Sequence, residues 1–99
     1  MPFALELSDE ARRVLAAVTA DASHGRIKRK IERTLAQLQV NPRHPGLSTH
    51  RYQSKQGPQG EPIWEAYVEN RTPGAWRVWF WYGPEQGVIT ILAIGPHPD

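Results

Sequence analysis

The sequence predicts a single α+β domain in which two helices cover one face of a mostly antiparallel sheet. Residues 9–40 carry apolar side chains at helical spacing, whereas residues 63–94 carry them in alternation or in continuous runs. A chain of 99 residues is long enough for one core and short for two domains. Helices that precede a run of strands pack on one side of the resulting sheet, which gives the fold class.

The first forty residues predict a strand followed by a helical hairpin. Polar and apolar side chains alternate over residues 2–7, which favours a strand. Ser8 is a suitable N-cap for a helix over residues 9–21, and acidic side chains follow it in the first turn. A second helix over residues 26–40 ends before Pro42, because proline excludes the helical conformation from the residue that precedes it. Two amphipathic helices joined by a short connection form a hairpin.

The remaining residues predict one long loop and three strands. Residues 41–62 are rich in Pro, Gly, His, Gln and Ser, and they favour a loop with at most a short strand near residues 51–52. Strands are predicted at residues 63–69, 75–82 and 88–94, which gives the order β-α-α-β-β-β. The last strand is almost continuously apolar, as expected for an interior position in the sheet.

The strand at residues 75–82 places an unusual combination of side chains on one face. Alternation puts Trp76, Val78, Phe80 and Tyr82 on a core face, and it puts Arg77, Trp79 and Trp81 on the opposite face. An arginine flanked by indole rings suits a nucleic-acid strand, because arginine pairs with phosphate and rings stack on bases. The alternatives are an edge-strand ion pair between Arg77 and Glu65, and packing of the two indoles against the loop or a partner peptide.

Positive charge is concentrated in the middle of the chain. The net charge is +2, but residues 24–55 contain eight basic residues and one acidic residue, a local charge of eight minus one, or +7, which leaves −5 for the rest. This asymmetry indicates a surface that faces a polyanion. A solvated helix face is the alternative for the cluster at residues 26–33. The basic residues predicted for this polyanion-binding surface include Arg29, Lys30, Arg33, Arg51 and Lys55.

Composition excludes several classes of protein. There is no cysteine, so disulfides and thiol chemistry are absent, which is compatible with a reducing compartment. No apolar run approaches the roughly 18 residues of a membrane span, and the N-terminus lacks the pattern of a signal peptide. The sequence contains no glycine-rich phosphate loop and no metal-ligand spacing. We therefore expect a cytoplasmic protein without cofactor, metal or small-molecule ligand.

Four segments in fixed order carry a resemblance to a known family. They are residues 38–47 (LQVNPRHPGL), 63–68 (IWEAYV), 76–80 (WRVWF) and 92–97 (LAIGPH). With the preceding strand and helical hairpin, they resemble the RelE/ParE superfamily of bacterial toxins, specifically its RelE/HigB/YoeB-like branch.

The resemblance implies the toxin of a type II toxin–antitoxin system, with a cognate antitoxin as partner. Many relatives enter the ribosomal A site and cleave mRNA there without a metal, by attack of a ribose 2′-hydroxyl on the adjacent phosphate. ParE relatives act on DNA gyrase instead, so the fold does not by itself decide the target. A catalytically silent corepressor that works with its antitoxin is a further alternative.

The resemblance also assigns roles to individual residues. Arg77 falls on the strand arginine that holds the scissile phosphate, and His97 falls where relatives carry a catalytic Arg or His. Glu65 lies near the place where some relatives carry an acidic base or an Arg. Arg51 and Lys55 lie in the segment where relatives have basic residues that contact RNA.

The sequence departs from the family pattern at two places. Tyr67 stands where relatives often have a second strand arginine, and the terminal tyrosine and C-terminal helix of some relatives are not found among these 99 residues. The resemblance therefore implies a reduced catalytic set.

Cleavage by a 2′-hydroxyl requires a base, positive charge on the phosphate and an acid for the leaving 5′-oxygen. Glu65 or His97 is the predicted base, Arg77 supplies the charge, and His97 is the predicted acid because imidazole titrates near neutral pH. His97 can act only if Gly95 and Pro96 hold the end of the chain against the sheet. The alternative is a loose terminal histidine.

Overall fold

Five strands form one mixed sheet in the structure, a computed structural model that describes residues 2–98. The strands are β1 (Ala4–Leu7), β2 (His50–Gln56), β3 (Pro62–Tyr67), β4 (Trp76–Tyr82) and β5 (Val88–Pro96). Their order in space is β1-β5-β4-β3-β2. β1 pairs in parallel with β5, and the other neighbours are antiparallel.

The predicted α+β fold class is confirmed, but the sheet has five strands rather than three. The predicted first strand joins the sheet beside β5, which makes β5 an interior strand as expected. β2 lies within the predicted loop, and its only large apolar side chain is Tyr52. It is an edge strand that is held by backbone pairing with β3, so hydrophobic periodicity gave little sign of it.

The helical hairpin is confirmed with boundaries close to those predicted. α1 (Asp9–Ala20) and α2 (Gly25–Val40) are joined by a 3₁₀ turn at Ala22–His24. A second 3₁₀ turn, at Pro45–Leu47, leads from α2 towards β2. Within residues 2–98, neither helix is long and apolar enough to cross a membrane.

The main core lies between the helices and one face of the sheet. Val78 and Phe80 of β4 are fully buried there against Ile31 and Leu38 of α2. A smaller apolar cluster lies on the other face of the sheet and contains Trp79 and Trp81 with Ile63. The alternation of β4 therefore matches the predicted faces, and the face away from the helices carries the polar side chains described below.

Ser8 connects the start of α1 to the sheet and provides a test of the fold. Its hydroxyl accepts a hydrogen bond from the Ala11 N–H at 3.0 Å and donates one to the Leu92 carbonyl at 2.7 Å. We expect Ser8→Ala to lower the free energy of unfolding by about 1–3 kcal/mol, because a helix cap and a tertiary hydrogen bond are lost together. Urea unfolding of the purified protein measures the change. Ser23→Ala is the control, since Ser23 bonds only locally to Asp21 at an exposed turn. Equal losses in both variants would contradict the tertiary role of Ser8.

Candidate functional site

A buried carboxylate lies between two histidines on the sheet face away from the helices. Glu65 of β3 has a side chain that is only 3% exposed. Its Oε1 atom lies 2.6 Å from Nε2 of His50, and its Oε2 atom lies 3.6 Å from Nε2 of His97. The imidazoles are 46% and 35% exposed. The histidines therefore face solvent, and the carboxylate lies beneath them.

Pro96 and the backbone of His97 are held against the sheet, as the predicted role of His97 requires. β5 continues to Pro96, two residues beyond the predicted strand, and Pro96 pairs with Trp76 of β4. The backbone N–H of His97 then donates to the Ala75 carbonyl at 2.8 Å. This pairing positions the His97 side chain near Glu65, although 32 residues separate them in sequence.

Arg77 is fixed in place by backbone carbonyls and by an aromatic ring. Its guanidinium lies 3.7 Å from the ring centroid of Tyr67, which is its register partner on β3. Nη1 donates to the carbonyl of Glu69 at 2.6 Å and to that of Trp76 at 3.2 Å. Nε is buried and has no hydrogen-bond partner in the structure. Arginine at this point is therefore pre-oriented and retains donors for an anion.

The alternative role considered for Arg77, an edge-strand ion pair with Glu65, is wrong. β4 is an interior strand, and the residue of β4 that lies opposite Glu65 is Trp79. Among the described residues, the ion pairs of Glu65 are those with His50 and His97. The pairing register thus separates the guanidinium from the carboxylate.

His50 belongs to the site and was missed from sequence. It was placed in a loop, whereas it is the first residue of β2 and lies opposite Glu65 in the β2–β3 register. Its ring also makes an edge contact with Tyr67 at a centroid distance of 5.9 Å. Recognising β2 as a strand and knowing its register would have been necessary to find this residue.

The two tryptophans proposed to stack on bases are buried. Trp79 is 7% exposed and Trp81 is 5% exposed, and the Trp79 ring packs edge-on against Tyr52. Nε1 of Trp79 is buried without a hydrogen-bond partner in the structure. Little ring surface remains for a base in this conformation, and packing beneath the edge strand is the interpretation that the structure favours.

A basic groove adjoins the site through Tyr67. A cavity of about 250 Å³ is lined by Lys30 and Arg33 of α2, by His44 and by Tyr67. Tyr67 also contacts Arg77 and His50, so groove and site share one side chain. Lys30 is half-buried and lies 3.4 Å from a carboxylate oxygen of Glu69, whereas Arg29 and Arg33 are exposed.

The two basic residues of β2 lie in different surroundings. The Arg51 guanidinium is 5.7 Å from the ring centroid of Trp64, which packs on the main core. Arg51 is therefore on the helix side of the sheet, away from Glu65. Lys55 is exposed and lines a cavity with Tyr52, Trp79 and Pro96, on the same face as the site.

A carboxylate beside two histidines raises the question of a metal. Within residues 2–98, no group of His, Cys, Asp and Glu side chains has the arrangement needed to hold a metal ion. The direct contact between His50 and Glu65 at 2.6 Å is instead that of a hydrogen bond between the two side chains.

Comparison with solved structures places this arrangement on a known fold. The YoeB dimer from Staphylococcus aureus superposes with a TM-score of 0.70 at 11% identity, over 99% of this chain and 100% of that chain. The YoeB/ParE toxin from Agrobacterium tumefaciens superposes with a TM-score of 0.70 at 9% identity, over 96% of this chain and 99% of that chain. The archaeal RelE–RelB complex from Pyrococcus horikoshii superposes with a TM-score of 0.66 at 14% identity, over 97% of this chain and 96% of that chain. The chain has the RelE-like toxin fold.

The RelE-like fold extends over nearly the whole chain and confirms the predicted resemblance at the level of structure. Sequence similarity does not extend as far: no protein-family model and no curated protein sequence matches the chain. Because one fold supports different targets, the residues of the site have to carry the functional inference.

Proposed function

We propose that this chain is the toxin of a type II toxin–antitoxin system and that it cleaves mRNA on the ribosome, in the cytoplasm, under control of a cognate antitoxin. The observation that carries the proposal is the site itself: Arg77, His97 and a buried Glu65 lie on one sheet face of a RelE-like fold, beside a basic groove. The P. horikoshii neighbour is a RelE–RelB complex, which supports an antitoxin partner for this chain.

In the proposed reaction the 2′-hydroxyl gives its proton to a solvent water molecule, its oxygen bonds to phosphorus, and the bond from phosphorus to the 5′-oxygen breaks. Arg77 stabilises the charge that develops on the phosphate, and its second terminal nitrogen supplies the donors, because Nη1 is already bonded to backbone carbonyls. His97 donates the proton that the 5′-oxygen needs. Glu65 is too deeply buried to reach a 2′-hydroxyl, so we place its effect on the reaction through the histidines.

Induced expression followed by mapping of mRNA 5′ ends tests the proposal. We expect new ends within translated reading frames, and we expect none when the Arg77→Ala variant is expressed to the same level. Growth arrest with intact mRNA and damaged DNA would overturn the proposal in favour of a gyrase target. Normal growth with intact mRNA would favour a silent corepressor.

The exposed arginines of α2 provide a second test. If Arg29 and Arg33 dock on ribosomal RNA, replacing both with Glu should weaken ribosome binding at least tenfold, because each phosphate contact releases counterions. Lys30 is left unchanged because a glutamate there would face Glu69. Co-sedimentation with ribosomes between about 50 and 200 mM salt measures the effect, and the salt dependence should become shallower in the variant.

The control for this test is charge reversal at Arg13, which is exposed on α1. Unfolding temperatures of both variants should remain close to that of the wild type, since exposed side chains contribute little to stability. Unchanged co-sedimentation of the double variant would show that this face of α2 does not contact the ribosome.

A further inference from the structure

The two oxygens of Glu65 have different partners. Oε1 lies at hydrogen-bond distance from His50 Nε2, 2.6 Å away. Oε2 is buried and has no hydrogen-bond partner in the structure, and it faces His97 Nε2 at 3.6 Å. One carboxylate therefore connects two imidazoles that come from opposite ends of the β-region, one on an edge strand and one after the last strand.

The hydrogen-bond partner of Nδ1 shows where His50 carries a hydrogen. Nδ1 lies 2.7 Å from the Ser48 carbonyl oxygen, which can only accept, so Nδ1 carries a hydrogen. The remaining nitrogen and Glu65 Oε1 share a proton across 2.6 Å. Both ring nitrogens of His50 are thus engaged, and the pair as a whole has little net charge. This compensation allows a carboxylate to remain at 3% exposure.

We propose that Glu65 is a positioning residue for His97, and that His50 sets how much of the Glu65 charge His97 experiences. The catalytic meaning of this arrangement rests on the proposed RNA cleavage, whereas the electrostatic coupling does not. His50 holds Oε1 and leaves Oε2 directed at His97. The carboxylate orients the imidazole of His97, because a charged acceptor at this distance attracts a ring N–H.

Among the described residues, few charged side chains adjoin Glu65. β2 contributes His50, and the segment after β5 contributes His97. The residue opposite on β4 is Trp79, which carries no charge, and Arg77 packs on Tyr67, the next residue of β3 on this face. Two substitutions can therefore change the field at His97 in opposite directions.

Replacing Glu65 with Gln keeps the shape of the side chain and removes its charge. Replacing His50 with Gln keeps a donor for Oε1 and removes the compensating positive charge. We expect the NMR order parameter of the His97 ring to fall in Glu65→Gln, which loses the charged acceptor, and to rise in His50→Gln, which leaves the Glu65 charge uncompensated beside His97. If glutamine at residue 50 only loosened the site, without electrostatic coupling, the two variants would change the His97 ring in the same direction.

The experiment is an NMR relaxation measurement on the imidazole ¹³Cε1 nuclei in the purified protein, assigned with single His→Gln variants. His24→Gln is the matched control, because His24 lies 3.4 Å from Asp21 at an exposed turn with no contact to Glu65. It should leave the order parameter of the His97 ring unchanged. Far-UV circular dichroism checks that each variant is folded.

The wild-type protein gives a second measurement that does not depend on any variant folding. Long-range ¹H–¹⁵N spectra near neutral pH should show His50 with a hydrogen on Nδ1. Unprotonated Nδ1 on His50, or an equal change in the His97 order parameter in both variants, would overturn the inference. Absence of mRNA cleavage with the expected order parameters would overturn the proposed function alone, because the relaxation measurement requires no RNA.

Discussion

Replacement of Arg77 with Ala is expected to abolish growth arrest on induced expression and to lower the rate of mRNA cleavage by about 100–1000-fold, the usual cost of removing one charge-stabilising donor. The reason is its position: the guanidinium is held on the site face by the Glu69 and Trp76 carbonyls and by the Tyr67 ring. Colony counts and quantitative mapping of mRNA 5′ ends measure the two effects.

The same contacts imply a cost in stability. Arg77→Ala removes a cation–π contact and the hydrogen bonds that a charged donor makes. We expect this loss to lower the free energy of unfolding by about 1–3 kcal/mol at this partly exposed site. The main core on the opposite face is unchanged, so the variant should still fold. Lys at this position should restore activity only in part, because it lacks the planar fork of arginine. Arg13→Ala on α1 is the matched control, and an Arg77→Ala protein that remained fully toxic would remove the phosphate role.

Replacement of His97 with Ala is expected to lower the cleavage rate by about 100- to 10,000-fold, the range for loss of a general acid or base. Its side chain is 35% exposed, so the unfolding temperature should change little. Substitution is a more specific test than deletion of residues 96–99, because β5 includes Pro96 and the His97 backbone N–H donates to the Ala75 carbonyl. Single-turnover cleavage on programmed ribosomes provides the measurement.

His24→Ala is the appropriate control for His97→Ala, because it removes an exposed imidazole that is also near a carboxylate. Its rate should equal that of the wild type. Cleavage at the normal rate by the His97→Ala protein would exclude His97 from the mechanism and leave the acid to the ribosome or to another residue.

Much of the fold could be predicted because its signals are local. The apolar stripe of α2 and the alternation of β4 each depend on residues a few positions apart, and both match the structure. Ser8 was predicted as an N-cap and makes that bond. β2 was not recognised as a full strand because an edge strand is held by backbone pairing, which leaves no hydrophobic pattern in the sequence.

Pattern and resemblance together supplied the predicted site. Arg77 was selected from the alternation of β4 and from the resemblance, and Glu65 and His97 were selected from the resemblance. The structure brings Glu65 and His97 together, and it places Arg77 beside Tyr67. Their catalytic roles remain predictions. The burial of Trp79 and Trp81 did not follow from alternation, because alternation assigns a side chain to a face and does not say whether that face is covered.

By itself the sequence determined the two helices, the four strands other than β2, and which side chains of β4 face the helices, since periodicity is a property of neighbouring residues. The tertiary structure decided which side chains meet across the sheet. His50 and Glu65 come together through the β2–β3 register, and His97 reaches Glu65 because β5 extends along β4 to Pro96. The physical reason is that strand order and register are set by pairing between distant segments, and a shift of one residue would turn each of these side chains to the opposite face.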